Sequence, residues 1–152
     1  MLDFQTLFFG FSGRIGRQSW WIGMILIGLA SVVGTWLVDP STFDFEVRDH
    51  TPNLSNTLWQ VALQIPTTAL FVKRFNDRDM PEWLGYAYGI LGALLAVAEH
   101  FSLLKPDGNV IGTILIGVAA LLFIYLLIDN GFLRGTQGPN RYGPDPLATT
   151  GA

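Results

Sequence analysis

The residues of this sequence that could carry out chemistry are mainly arginines and aspartates, which fall in three short motifs. Eight polar side chains of these motifs could meet in one cluster: Arg14, Arg17, Arg74, Asp77, Arg78, Asn140, Arg141 and Asp145. A guanidinium group forms paired hydrogen bonds with carboxylates and with phosphates. The cluster could therefore be a network of ion pairs that holds the motifs together, or a site for an anionic headgroup or a phosphorylated ligand. We favour the ion-pair network and keep the anion site as the alternative.

A second group of polar side chains lies within otherwise apolar sequence. Gln60, Gln64 and Thr67 have a spacing that places them in one stripe along a helix. Amides that faced lipid would be costly, so the stripe should face the interior of a bundle. Hydrogen bonds between helices explain the stripe best, and a ligand cavity or a polar path is the alternative.

The other reactive residue types are too few to predict a catalytic centre or a metal site. The sequence has no cysteine, and its two histidines, His50 and His100, cannot form a zinc site without acidic groups. It has neither a nucleophile elbow nor a phosphate-binding loop after a strand. We therefore predict no enzymatic activity, no cofactor and no metal. The net charge of −3 argues against nucleic acid as a partner.

The chain that must position these side chains is unusually apolar. Of its 152 residues, 50% are hydrophobic and 14% are charged, whereas soluble domains carry about 25% charged residues. A helix of about 18 residues spans about 27 Å, close to the thickness of the hydrocarbon layer of a membrane. We therefore predict an all-α fold, a single membrane domain over residues 1–152 that forms a bundle of four transmembrane helices. The four apolar stretches place these helices at residues 20–38, 57–73, 83–104 and 110–128.

The basic residues between the apolar stretches predict the orientation of the bundle. Of the nine Lys and Arg residues, only Arg48 and Lys105 lie on one side of the predicted membrane. Because basic loops stay in the cytoplasm, both termini should be cytoplasmic. The segment 2–11, rich in Phe and Leu, should either lie flat on the inner leaflet or pack against the bundle. The other side holds seven basic residues: Arg14, Arg17, Lys73, Arg74, Arg78, Arg134 and Arg141.

Small residues and a proline predict local features of the helices. Gly85, Gly89 and Ala93 are spaced by four in the third stretch, which favours close helix packing. We expect contacts within one chain rather than dimerisation, because the chain already supplies several helices. Pro66 removes a backbone donor from the second stretch and predicts a kink there.

The three motifs occupy residues 11–21, 73–83 and 135–146. The last reads Gly-Thr-Gln-Gly-Pro-Asn-Arg-Tyr-Gly-Pro-Asp-Pro, and its glycines and prolines predict an ordered series of cytoplasmic turns over residues 134–147. Together the motifs resemble those of a bacterial family of inner membrane proteins called domain of unknown function 805, the YhaH-like proteins. The last motif matches the family pattern without a break, and the resemblance spans nearly the whole chain.

The first two motifs match the family at their charged positions. Arg14 and Arg17 agree with its early Gly-Arg-x-x-Arg pattern. The residues of the middle motif that agree are Arg74, Asp77 and Trp83. The residues that depart from the usual Arg-Leu-His of the family are Lys73, Phe75 and Asn76.

The resemblance implies a multi-pass protein of the bacterial inner, or plasma, membrane, and it implies no activity. From the sequence we expect a non-enzymatic scaffold or regulator that works through partner contacts, in envelope homeostasis or the stress response. One alternative is a small-molecule or ion transporter or channel that acts as an oligomer, and another is a protein that binds anionic lipids. Membrane lipids, including anionic headgroups at the cytoplasmic face, protein partners and further copies of the chain are the expected partners.

Overall fold

The computed structural model describes residues 3–44, 50–104 and 110–148. Within these ranges every regular element is helical, as the sequence predicts, and the one β-bridge is isolated between Asn140 and Gly143. A short 3-10 helix spans Pro40–Phe43. The α-helices are α1 (Phe4–Phe9), α2 (Arg17–Val38), α3 (Leu54–Asp77), α4 (Trp83–His100) and α5 (Val110–Gly131).

Local hydrogen bonds explain where the helices differ from the predicted bounds. α3 begins before residue 57 because the Asn53 side chain accepts the backbone N–H of Asn56 at 2.8 Å. α4 ends at His100 rather than at residue 104, because Ser102 takes a left-handed φ of 57° that no helix can continue. α3 runs as one helix through Pro66.

The small residues of α4 lie against α3, in contacts within the chain. A Cβ atom on Gly85 would lie 2.7 Å from the backbone N of Val72, and one on Gly89 would overlap the Thr68 hydroxyl. The absent side chains let the two backbones approach closely, as predicted for this face. α3 is the centre of the bundle, because it also packs against α2 and α1.

The buried apolar core lies at one end of the bundle, where the three motifs also lie. We call this the motif end, and the opposite end, with Pro40–Phe43 and residues 50–53, the loop end. Phe8 of α1 enters the core, so the N-terminal segment packs against the bundle, while Phe4 and Phe9 stay exposed. The core is formed by Phe8, Ile15, Trp20, Leu70, Phe71, Phe75 and Leu126.

The apolar helices α2 and α5 are mostly exposed. Both are long and apolar enough to cross a membrane, and only 11% of the most apolar window of each is buried. Ile25 and Leu29 on α2, and Ile114 and Leu121 on α5, are all more than half exposed. Such a surface is expected where lipid rather than water surrounds the helices.

Candidate functional site

The centre of the motif end is a single carboxylate held between two arginines. Asp77, the last residue of α3, is buried. Its Oδ1 accepts hydrogen bonds from Nε and Nη2 of Arg14 at 3.2 and 3.1 Å, and its Oδ2 accepts one from Nη1 of Arg74. Arg74 lies one helical turn before Asp77, so the two share a helix face.

This ion-pair cluster is removed from water. The guanidinium side chains of Arg14 and Arg74 are 1% and 0% exposed, and the Asp77 side chain is 4% exposed. A buried charge is tolerated only when it is paired and hydrogen-bonded, so each member of the cluster depends on the others.

One carboxylate cannot neutralise two guanidinium groups, and backbone carbonyl groups stabilise the remaining positive charge. Arg14 donates to the carbonyl oxygens of Thr136, Gly138 and Gly143 at 2.7, 2.8 and 3.2 Å. It therefore ties the segment before α2 to the C-terminal turns.

Arg74 also binds backbone carbonyl groups, at the C-terminal end of α5. Its Nε donates to the carbonyl of Asn130 at 2.6 Å, and its Nη2 donates to the carbonyl of Leu133. Arg74 thus fastens the end of α5 to α3.

The C-terminal segment predicted as turns is ordered against the end of α3 and the loop that follows it. The backbone N–H of Thr136 donates to the carbonyl of Asp77 at 2.8 Å, and the Asn140 amide donates to the carbonyl of Asn76 at 2.8 Å. The Tyr142 hydroxyl donates to the carbonyl of Met80 at 2.9 Å. These bonds join the last motif to the middle motif.

Gly135 lets the C-terminal segment pass directly over the buried carboxylate. A Cβ atom at this position would overlap Oδ1 and Oδ2 of Asp77. Any other residue would force the segment away from the cluster.

The remaining predicted cluster residues lie around this centre rather than in it. Arg78 pairs with Asp129 on α5, with 3.3 Å between Nη1 and Oδ1. Arg141 pairs with Asp79 at 3.1 Å on the exposed surface. Arg17 is exposed and donates to the carbonyl of Phe132 at 2.9 Å.

Asp145, also predicted in the cluster, binds backbone groups of its own segment. Its carboxylate accepts the N–H groups of Leu147 and Gly138 at 2.9 and 3.0 Å. These hydrogen bonds lower its pKa below the ordinary value. Its role is to close the C-terminal turns.

Three residues that sequence reasoning did not place in the cluster complete it. Lys73 is 1% exposed, and its Nζ donates to the carbonyls of Thr6 and Leu7 at 2.5 Å each, which fastens α1. Asn76 donates to the carbonyl of Gly13 at 3.1 Å. The Thr136 hydroxyl accepts a hydrogen bond from the Asn140 amide.

Lys73 and Asn76 are two of the positions that depart from the usual pattern of the family. Both bind backbone carbonyls of the N-terminal segment. The departure itself was the signal available in the sequence, because it changes the donors that face this segment.

The predicted polar stripe on α3 divides into two parts. The Gln60 amide donates to the hydroxyls of Ser31 and Thr35 on α2 at 3.0 and 2.9 Å, as expected for hydrogen bonds between helices. Thr67 instead donates to the carbonyl of Leu63 in its own helix at 2.7 Å, and it is buried. Gln60 and Gln64 also line a cavity of about 630 Å³ at the loop end, which Thr67 does not reach.

The two histidines lie at the loop end. His50 Nε2 is 3.3 Å from a carboxylate oxygen of Asp39 and 2.9 Å from the Ser41 hydroxyl, and His100 Nδ1 is 2.9 Å from the carbonyl of Pro52. In residues 3–44, 50–104 and 110–148, no three His, Cys, Asp or Glu side chains are arranged to hold a metal ion.

Comparison with known proteins gives a family but no activity. The sequence pattern of the family described as "Protein of unknown function (DUF805)" matches residues 8–144. The "Uncharacterized protein YiiR" of Escherichia coli strain K12 is 32% identical over an alignment of 152 residues. The alignment covers 95% of this chain and 90% of that protein. The protein of the same name from Escherichia coli O157:H7 has the same identity and coverage. No solved structure matches the chain. Because the pattern covers most of the chain, including the first two motifs and nearly all of the third, the protein belongs to the DUF805 family.

Proposed function

We propose that this protein is a non-enzymatic scaffold or regulator of the bacterial inner membrane that presents a rigid cytoplasmic surface to partner proteins, in envelope homeostasis or the stress response. That surface, which we call the platform, consists of the loop 78–82 and the turns 134–147. The single observation that carries the proposal is the Asp77 centre, in which Arg14 and Arg74 bind one buried carboxylate and the backbone of the C-terminal segment.

The rigidity of the platform supports binding rather than turnover. Arg14, Arg74 and Asp77 are saturated by one another and by carbonyl groups, so they have little capacity left for a substrate. An interface that is already ordered loses less conformational entropy on binding, which favours recognition by a fixed surface.

The membrane arrangement within this proposal has α2, α3, α4 and α5 as four spanning helices, with both termini in the cytoplasm. The exposed apolar surfaces of α2 and α5 support it. All seven basic residues of the predicted cytoplasmic side belong to the motif end, whereas Arg48 and Lys105 lie outside the described residues. Trp83, at the start of α4, is 62% exposed, as expected for an aromatic residue at a membrane interface.

Reporter fusions test this arrangement. Green fluorescent protein fused after the last residue should fluoresce, and alkaline phosphatase inserted between residues 44 and 50 should be active in the periplasm. Active phosphatase at the C terminus would contradict the proposed orientation.

Photo-crosslinking in cells tests the platform. A photoreactive amino acid at Gln137, which is exposed on the platform, should yield discrete adducts with protein partners. The matched control is the same amino acid at Ile114, which is 59% exposed on the apolar face of α5 and should react mainly with lipid. Equal protein adducts from both positions, or none from Gln137, would refute the proposal.

The contacts weigh against an anionic-lipid site at the motif end and against a polar path within one chain. A site for anionic lipid would need free guanidinium groups, but Arg14, Arg74 and Arg141 each face an aspartate. A polar path through a single chain would need an open stripe, but residues 67–77 are buried.

A further inference from the structure

A cavity at the loop end of the bundle is independent of the Asp77 centre. It lies between α3, α4 and α5 and has a volume of about 630 Å³. Small-molecule sites commonly measure about 300–1,000 Å³. The cavity is therefore large enough for a ligand of considerable size.

The walls of the cavity differ in polarity. α3 supplies hydrogen-bonding side chains, and α4 and α5 supply aliphatic and aromatic ones. The main polar residues are Asn56, Thr57, Gln60 and Gln64. The main apolar residues are Leu91, Leu95, Ile116 and Phe123.

The described lining of the cavity runs from the loop end to about the middle of α4. Tyr88 lines its inner end and packs on Phe71 of the core, with 4.0 Å between ring centroids. Thr42, Pro52 and Leu104 surround its outer end. A smaller cavity of about 210 Å³ shares three lining residues with it, Tyr88 among them, and continues towards the motif end.

One carboxylate lies where a ligand would enter. Glu99 of α4 is exposed and lines the outer part of the cavity, and it is the only charged residue of the described lining. The described residues place no cation in an ion pair with it. A positively charged group at the mouth would neutralise this carboxylate.

Within the described residues, α5 packs loosely along this side of the bundle. Its contacts with α2 and α3 are few. Ala119 and Ala120 face the cavity with small side chains, so that a chain-like ligand has room beside them.

We propose that this cavity binds an amphiphile with a cationic head and a single apolar chain. The head lies against Glu99 at the loop end, and the chain extends towards Tyr88 between the apolar walls of α4 and α5. This site is separate from the platform and does not depend on a protein partner binding there.

Photolabelling of the full-length protein tests the site. The probe is dodecylamine with a diazirine near the end of its chain, added to protein in nanodiscs of uncharged lipid. Labels mapped by mass spectrometry should concentrate on α4 and α5 between residues 88 and 123. Excess unlabelled dodecylamine should abolish them, whereas dodecanol should compete much less.

Matched variants separate the cavity from the lipid-facing surface. Glu99→Gln should weaken competition by dodecylamine about fivefold and leave competition by dodecanol unchanged, as expected for one partly exposed ion pair. Ala96→Phe or Ala119→Phe, which fill the cavity, should abolish saturable labelling. Val118→Phe, at a position 58% exposed on α5, is the control and should label like the unmodified protein.

Two results would overturn the proposal. One is labelling that excess dodecylamine does not reduce in the unmodified protein. The other is labelling that persists unchanged in both cavity-filling variants while those variants keep the thermal unfolding midpoint of the Val118→Phe control.

Discussion

The two carboxylate oxygens of Asp77 are bound by two different arginines, Oδ1 by Arg14 and Oδ2 by Arg74. Arg14 is 63 residues away in sequence, whereas Arg74 lies on the same helix. One side chain therefore links the N-terminal segment, α3 and, through the arginines, the C-terminal turns. The loss of this carboxylate would leave two buried cations without a counterion.

Substitution of Asp77 should be among the most damaging changes at the motif end. We expect Asp77→Asn to reduce the free energy of unfolding by about 3–5 kcal/mol, the usual cost of breaking a buried ion pair. Denaturation in detergent, followed by tryptophan fluorescence, measures this change. Asp79→Asn is the matched control, because its pair with Arg141 is about half exposed and contributes at most about 1 kcal/mol. Equal losses in the two variants would contradict the central role of Asp77.

The fork geometry of Arg14 should be needed to hold the C-terminal turns. Arg14→Lys keeps the charge but cannot reach Asp77 and three carbonyl groups at once. We expect faster cleavage within residues 135–147 when inverted membrane vesicles are treated with protease. Arg141→Lys, at an exposed pair, should leave the cleavage rate near that of the unmodified protein. Unchanged cleavage in Arg14→Lys would show that other contacts order the segment.

Two glycine substitutions should have opposite effects. Gly89→Ala puts a methyl group onto the Thr68 hydroxyl, so it should separate α3 from α4 and lower the thermal unfolding midpoint. Gly117→Ala meets nothing within 4 Å on α5 and removes a flexible residue from a helix. It should be neutral or stabilise the protein by up to about 1 kcal/mol. A destabilising effect of Gly117→Ala would mean that a surface of the bundle covers this position.

Acid should release the C-terminal turns through Asp145. The hydrogen bonds from Leu147 and Gly138 lower its pKa in the folded protein. A lowered pKa means that the carboxylate stabilises the turns above the ordinary value of about 4, and that this stabilisation disappears as the pH falls through the lowered pKa. The amide resonances of Gly138 and Leu147 should report this titration in NMR spectra of the protein in detergent. They should not titrate in Asp145→Asn, and a midpoint at or above about 4 in the unmodified protein would contradict the assignment.

The long helices could be predicted because their sequences contain largely apolar stretches of helical length, whereas α1 could not. α1 has only six residues, and isolated helices of that length are unstable in water. It forms because the Asp3 carboxylate accepts the N–H of Thr6, and because Phe8 and Lys73 attach the helix to the bundle. The contacts of Phe8 and Lys73 join residues far apart in the chain, which local sequence patterns do not reveal.

The sequence predicts which residues form the candidate site, but not which of them pair with one another. Charge and motif position identified Arg14, Arg74 and Asp77 as members of one cluster. Spacing could not tell that Asp145 binds its own backbone while Arg78 pairs with Asp129. Pairing depends on how the loops fold over one another, and Thr136 gives no local signal of its part in it.

Most hydrogen bonds that join the N-terminal, middle and C-terminal segments end on carbonyl oxygens of the main chain. Lys73 binds those of Thr6 and Leu7, and Arg74 binds those of Asn130 and Leu133. Every amino acid carries this oxygen, so exchanging an acceptor residue for one of similar shape leaves the bond available. Exchange of a single donor side chain breaks several bonds at once. Mutational tolerance at the motif end should therefore be one-sided, with little freedom at a few cations and more freedom at exposed acceptor residues such as Thr6 and Leu133.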